Sequence, residues 1–299
     1  MAMLAACVLT GVELPAHAQD IEPREWSNAP VGVNFLVAGY AYTKGGVAFG
    51  PQLPITNPNL NTSSAVVAYA RVLDLWGMSA KFDATVPYTW LSGTADFMGQ
   101  PEARNVNGFA NSAFRLSVNL YGAPALTLKE FADWKQDLII GASLRVVAPW
   151  GQYDDGKLVN IGTNRWSFKP EIGFSKAFGP WTVELAPGVT FYTDNGDFFG
   201  GKTREVAPLF AAQSGLSYTF ARSGWVALNI GYFKGARTTV DEVESDVEQQ
   251  GIRFGGTLVL PLNRYQSVKL YSISGYNAHR EHDFQAFGIA WQYRWGGGF

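Results

Sequence analysis

The feature that most constrains this chain is a hydropathy alternation of period two, repeated from residue 31 to the end. In "RWSFKPEIGFSK", Trp166, Phe168, Pro170, Ile172 and Phe174 fall on one face, and Ser167, Lys169, Glu171, Gly173 and Ser175 on the other. Successive side chains of a β-strand point to opposite faces, so such a segment is a strand with one apolar and one polar surface. "WTVELAPGVTFYTD" sets Trp181, Val183, Leu185, Pro187, Val189 and Phe191 against Thr182, Glu184, Ala186, Gly188 and Thr190. "MSAKFDATVPYTWL" sets Phe82, Val86, Tyr88 and Trp90 against Lys81, Asp83 and Thr85. About twelve segments of this kind are predicted, near 31–42, 64–76, 78–91, 109–121, 136–150, 165–177, 180–193, 205–220, 223–234, 250–262, 266–277 and 283–295. Each is long enough to cross a bilayer as a tilted strand, which takes roughly 9–11 residues.

The connections give an independent signal, because they alternate in length. Tight joints at Gly77, 177–180, 221–224 and 262–266 alternate with long stretches at 43–63, 92–108, 151–164, 194–204 and 235–249. An even number of strands with short turns at one end and long loops at the other is the plan of an outer-membrane barrel. Soluble β-sandwiches have no reason for such strict alternation. The fold expected is therefore all-β, a transmembrane antiparallel β-barrel of about 12 strands. One short-turn joint breaks the rule. In "GAPALTLKEFADWK", Thr127 and Glu130 form a capping box, and Leu126 with Phe131 a hydrophobic staple, which predicts a helix over 127–134.

Composition excludes the main alternatives. The net charge of −2 offers no basic excess for nucleic acid. Beyond the N-terminus no run of eighteen apolar residues occurs, so helical membrane spans are excluded. Thirty-three Gly, 20 Phe, 13 Tyr and 10 Trp stand against only 16% charged residues, as interleaved polar and apolar strands require. The start, "MAMLAACVLTGVELPAHAQD", ends in an Ala16-His17-Ala18 cleavage pattern, so residues 1–18 are expected to be a signal peptide. It lacks a charged n-region, as it would if the true start lay upstream. Residues 19–30 are then expected as a periplasmic segment and 31–299 as the barrel, with both termini in the periplasm. Cys7 is the sole cysteine, so the mature chain has no disulfide or thiol site.

Topology places Trp76, Trp181, Trp225 and Trp295 at the short-turn ends and Trp90, Trp150 and Trp166 at the long-loop ends, as two interfacial girdles. The last strand, "WQYRWGGGF", carries Trp291, Tyr293 and Trp295 as a lipid-facing stripe and ends on Phe299 at the rim. The opposite faces put Lys81, Asp83, Arg115, Arg145, Lys169, Glu171, Glu184, Arg253, Lys269 and Arg294 in the lumen, a mildly positive lining. Arg71 and Asp74 stay unassigned, because their strand is ambiguous in register. Twelve tilted strands close to roughly 24 Å between backbones, leaving about 10 Å after side chains. That suits a small solute and is too tight for a folded plug.

The stretches 148–185 and 71–88, with Pro87-Tyr88, and the closing "WQYRWGGGF" resemble the outer-membrane transporter family of the meta-pathway of phenol degradation. The resemblance spans essentially the whole mature chain. It implies passive uptake of small aromatic or hydrophobic compounds linked to aromatic catabolism. It also implies outer-membrane lipid, lipopolysaccharide and the barrel insertion machinery as partners, the last reading Trp291, Tyr293, Trp295 and Phe299 as its assembly signal. The family carries no binding residues over. Tyr153, Asp154, Arg165, Phe198 and Phe199 are candidates for the mouth from their position where long loops enter the lumen.

Two other functions compete. A structural or surface-interaction barrel finds support in Asp241, Glu242, Glu244, Asp246 and Glu248, though their spacing fits no calcium loop. A lipid hydrolase would need a nucleophile beside a base. Only His279 and His282 remain after cleavage, and no Gly-x-Ser-x-Gly elbow occurs. No catalytic residue, metal site or cofactor is expected. The solute, the state of the gate and the oligomeric state are not written in the sequence.

Overall fold

A computed structural model describes residues 22–45, 55–220, 223–244, 248–277 and 280–299. The signal peptide with Cys7, the His279 loop and Asp246 lie outside them. Seventeen strands and one helix follow in order: β1 (Val33–Gly45), β2 (Ile55–Leu75), β3 (Met78–Phe97), β4 (Gln100–Phe109), β5 (Ser112–Tyr121), α1 (Leu128–Asp133), β6 (Leu138–Ala148), β7 (Ser167–Phe178), β8 (Trp181–Tyr192), β9 (Asn195–Phe198), β10 (Lys202–Val206), β11 (Leu209–Thr219), β12 (Trp225–Gly235), β13 (Thr238–Val240), β14 (Val243–Glu244), β15 (Gln249–Pro261), β16 (Gln266–Asn277) and β17 (Arg280–Gly296). Twelve of them, all but β4, β9, β10, β13 and β14, pair antiparallel around a closed barrel. The seam joins the first strand to the last, with Val33 opposite Gly296 and Gly45 opposite Phe284. Closure leaves no unpaired edge, the condition for crossing hydrocarbon with strands.

The long-loop end carries more strand than the sequence suggests. Residues 92–108, expected as a loop, continue β3 and return as β4, from Phe97 opposite Gln100 to Tyr88 opposite Phe109. The polar sequence of β4, "QPEARNVNGF", reads as a loop because both its faces lie outside the apolar band. Strands β9 and β10, between β8 and β11, and β13 and β14, between β12 and β15, form a second, four-stranded sheet.

At the short-turn end, α1 has the expected capping box. Thr127 N donates to the Glu130 carboxylate at 2.9 Å and Glu130 N to the Thr127 hydroxyl at 3.4 Å. The preceding residues seal the rim: Ser79 N donates to Ala123 O, Ala125 N to Gly77 O and Val31 N to Leu126 O.

Alternation divides each strand into an exposed apolar face and a buried face. On β12, Val226, Leu228, Ile230 and Tyr232 point outward, while Trp225, Ala227, Asn229 and Phe233 are buried. Trp225 therefore leaves the girdle to which its position along the strand assigned it. Its parity turns it inward, where it is fully buried with the Arg24 guanidinium 5.5 Å from its ring centre. The other six tryptophans named for the girdles are exposed. On β2, Ala70 and Val72 are buried and Arg71 and Asp74 exposed, which settles that register.

The larger correction concerns the inside. Residues 22–30, expected as a periplasmic segment, turn into the barrel from its short-turn end, and Glu22, Glu25, Trp26, Asn28 and Ala29 are all buried there. The lumen, expected to be too tight for a folded plug, holds this short segment instead. Nine residues with a single turn at 23–26 need less width than a folded domain, and glycines make room for the one bulky ring. A Cβ on Gly173 would lie 1.8 Å from the Trp26 indole and one on Gly141 2.6 Å from it. These glycines are register partners on β6 and β7, so the indole lies against bare backbone.

Candidate functional site

Two zones divide the lumen. In the half nearer the short turns, charges meet the inserted segment. Arg115 on β5 donates to Asp83 at 3.1 Å, to Glu25 at 2.5 Å and to Glu22 at 2.9 Å, all four side chains being buried. Lys81 Nζ donates to the Glu25 carbonyl at 3.3 Å. Gln213 on β11 accepts from Glu22 N and donates to Glu25, while Arg24 donates to the Thr219 hydroxyl. The Glu184 carboxylate faces the backbone N–H groups of Arg24 and Trp26. A cation buried this far from water needs paired, hydrogen-bonded partners, and the inserted segment supplies two of the three carboxylates around Arg115.

The ten residues assigned to the lining all stand on the inner face. Nine are buried and Lys81 is half-buried. Lys169 pairs with Glu171 at 2.8 Å. Arg253 lies between rings, 5.3 Å from the centre of Phe233 and 5.0 Å from that of Phe284. Glu22 and Glu25 take up part of the basic excess, so the wall charges near them face protein rather than an open passage.

Toward the long loops the lumen becomes apolar. Leu209 and Ala211 of β11 and Phe233 of β12 cluster with Ala236, Tyr192 and Val206. Across the mouth, Leu60, Leu91, Ala110 and Ile161 form a second cluster with Val106 and Val159. The loop 151–164 is folded on itself by Asn160, which accepts from Asp154 N and donates to the carbonyls of Asp154 and Lys157, and is tied to the wall by Gln152 N donating to Phe109 O.

Of the five mouth candidates, Tyr153, Arg165 and Phe198 gather around Arg204, while Asp154 leaves them. Asp154 turns toward Arg104, 4.0 Å away. Phe198 is buried under Arg204, whose guanidinium is 5.2 Å from its ring centre, and Phe199 is half-buried beside it in sequence. Arg165 lies 4.4 Å from the centre of the Tyr192 ring. Tyr153 donates to Asp197 O at 3.1 Å and accepts from Asn195 Nδ2 at 2.8 Å. Burial pushes the Tyr153 phenol up, opposed by its bond from Asn195. Sequence reasoning missed Tyr192, Asn195 and Arg204, although Tyr192 continues the inward parity of Glu184 and Thr190. The segment 22–30 was missed as well, and its only signal was the lumen-facing Gly141 and Gly173 opposite each other.

At the C-terminus, Trp291, Tyr293 and Trp295 stack along the outside of β17, with ring centres 6.1 and 5.7 Å apart. Phe299 does not extend that row. Gly296, Gly297 and Gly298 all take positive φ, a conformation open to glycine at little cost, and they turn the chain back. Phe299 packs against the cluster of Ala29, Val33, Phe35, Ala70 and Val72, with the Arg294 guanidinium 4.5 Å from its ring centre.

A closed twelve-strand barrel with an apolar exterior, aromatic girdles and a charged, segment-filled interior defines an outer-membrane β-barrel protein. Residues 43–293 match the family described as "Putative MetA-pathway of phenol degradation", and the chain belongs to that family. In fold it is similar to the COG4313 outer membrane channel from Pseudomonas putida F1. The TM-score is 0.76 at 17% identity, over 92% of this chain and 100% of that one. It is also similar to the β-domain of the Bordetella autotransporter BrkA, with a TM-score of 0.53 at 11% identity over 88% and 100% of the two chains. No curated protein matches the sequence.

Proposed function

We propose that this protein is an outer-membrane channel for passive entry of small aromatic or other hydrophobic compounds, without catalysis. The observation that carries the reading is the ring-lined outer half of the lumen, where Tyr192, Leu209, Phe233 and Phe284 stand on inward positions and the rings flank Arg253 and Arg165. A channel for sugars or salts gains nothing from such a wall, whereas partition of an aromatic ring into it is favourable by roughly 25 cal/mol per Å² of apolar surface removed from water. Family membership and the likeness in fold to the COG4313 outer membrane channel support the same reading. In this reading the short-turn end faces the periplasm, and the 22–30 segment sets a low resting permeability. The outer stack of Trp291, Tyr293 and Trp295 serves lipid contact and recognition during insertion.

The test is solute entry into liposomes containing the refolded mature chain, comparing phenol, benzoate and sugars of matched size. Entry of the aromatics well above that of the sugars is expected. Equal entry of all solutes would point to an unselective pore, and no entry through a folded barrel would sink the proposal.

A further inference from the structure

We infer that Arg165 and Arg204, with the Tyr153–Asn195 pair beside them, form a carboxylate-binding site at the mouth that takes small aromatic acids. The inference rests on the uptake reading above and names a ligand class within it.

Three elements build the site. Arg165 precedes β7 on the same parity as Lys169 and Glu171, so it stands on the lumen side, against the ring of Tyr192 at the end of β8. Arg204 on β10 is the register partner of Asn195 on β9 and lies over Phe198. Asn195 is buried and ties the loops together. It donates to the Tyr153 hydroxyl and the Thr163 carbonyl, and accepts from Asn164 Nδ2 and Asp197 N. The arginines are thus carried on hydrogen-bonded supports, not on free loop tips.

Their charges are the unusual feature. Among the described residues Arg204 makes no ion pair, and its buried Nε has no hydrogen-bond partner. The groups that act on its charge are burial, Arg165, Tyr153 and Tyr192. Burial and then the Arg165 cation bring its pKa down to about 10, opposed by Tyr153 and Tyr192 and, among the described residues, by no carboxylate. In the inner half of the lumen Arg115 and Lys169 meet carboxylates. A half-buried guanidinium whose Nε is shut off from water, beside another cation, gains from an anion, and a planar carboxylate matches the guanidinium fork. The aromatic class follows from the neighbours. Tyr192 and Phe198 flank the two guanidinium groups, and Tyr192 continues into the apolar cluster of Leu209 and Phe233 below. A ring bearing a carboxylate would keep its charge at the arginines and its apolar part on that wall. Lipopolysaccharide phosphate is the less suitable source, because Arg165 and Tyr192 point into the barrel and not toward lipid.

The test uses the full mature chain, wild type and with Arg204→Gln or Arg204→Lys, each checked for barrel folding by heat-modifiable gel migration. Binding of benzoate to the detergent-solubilised barrel is measured by calorimetry beside inorganic phosphate and phenol. Entry of benzoate and phenol into liposomes is measured in parallel. Benzoate should bind the wild type more tightly than phosphate or phenol. Arg204→Gln should weaken it on the order of tenfold, the effect of losing one charge-assisted bond, and Arg204→Lys less. The ratio of benzoate to phenol entry should fall by a similar factor. Phosphate binding as tightly as benzoate would overturn the aromatic assignment, and unchanged benzoate binding in Arg204→Gln would overturn the site. Benzoate binding without entry of any solute would instead leave the site standing and remove the uptake reading.

Discussion

Arg115 holds Glu25 at 2.5 Å, and the same guanidinium reaches Glu22 at 2.9 Å, so one side chain of the wall fixes the inserted segment at two points. Replacing Arg115 by Met leaves Glu22, Glu25 and Asp83 buried together without their shared cation. Loss of one partner from a buried pair costs roughly 3–5 kcal/mol. The segment should leave its seat while the strand ladders persist. Planar-bilayer recordings of Arg115→Met should show severalfold higher conductance than wild type; equal conductance would mean that the segment is held by other contacts.

Gly173 and Trp26 form the second attachment. A side chain at Gly173 collides with the indole, because even a Cβ would come within 1.8 Å of it. Gly173→Val should expel Trp26 into water and shift tryptophan emission to the red, with protease access to the segment. Trp26→Ala in the same background should abolish the emission change.

The outward face tolerates charge far less than the inner one. Leu228 and Leu185 are exposed on the outward faces of their strands. Arginine at either should destabilise the barrel by roughly 2–4 kcal/mol if it lies at the bilayer midplane. Urea titration in lipid vesicles measures this. Asn229→Arg, one residue from Leu228 but inward, should cost less; equal costs would refute the division of faces.

The helix cap makes stability at the short-turn rim depend on pH. The backbone N–H and hydroxyl of Thr127 hold the Glu130 carboxyl below its ordinary value. A group depressed on folding stabilises above its unfolded pKa and loses that contribution as pH falls through the folded one. The protection of amides across 128–133, taken relative to their intrinsic exchange at each pH, should therefore fall on acidification below the ordinary carboxylate range. Thr127→Ala should flatten that dependence.

Strand positions were readable in the sequence because the pleat repeats every two residues over ten or more positions, as in Phe168 to Phe174 or Leu228 to Tyr232. Trp225 was misplaced since height along a strand and the face of the strand are separate coordinates, and at a strand end only parity decides the second. The segment "EPREWSNAP" carries no periodicity at all. Its partners Arg115, Gln213 and Thr219 lie about ninety to two hundred residues away, and only the closed barrel brings them together. The same holds for Arg204, which reads as one more loop cation until β9 and β10 set it beside Asn195.

The glycine turn that sends Phe299 back into the barrel has a consequence for the order of assembly. Its ring rests on Ala29, Val33 and Phe35, so the final residue of the chain and the stretch before the first strand share one small apolar cluster. That cluster has no existence until β17 has met β1. The seating of the inserted segment is thereby coupled to completion of the wall, and a half-built cylinder would carry its stopper loose.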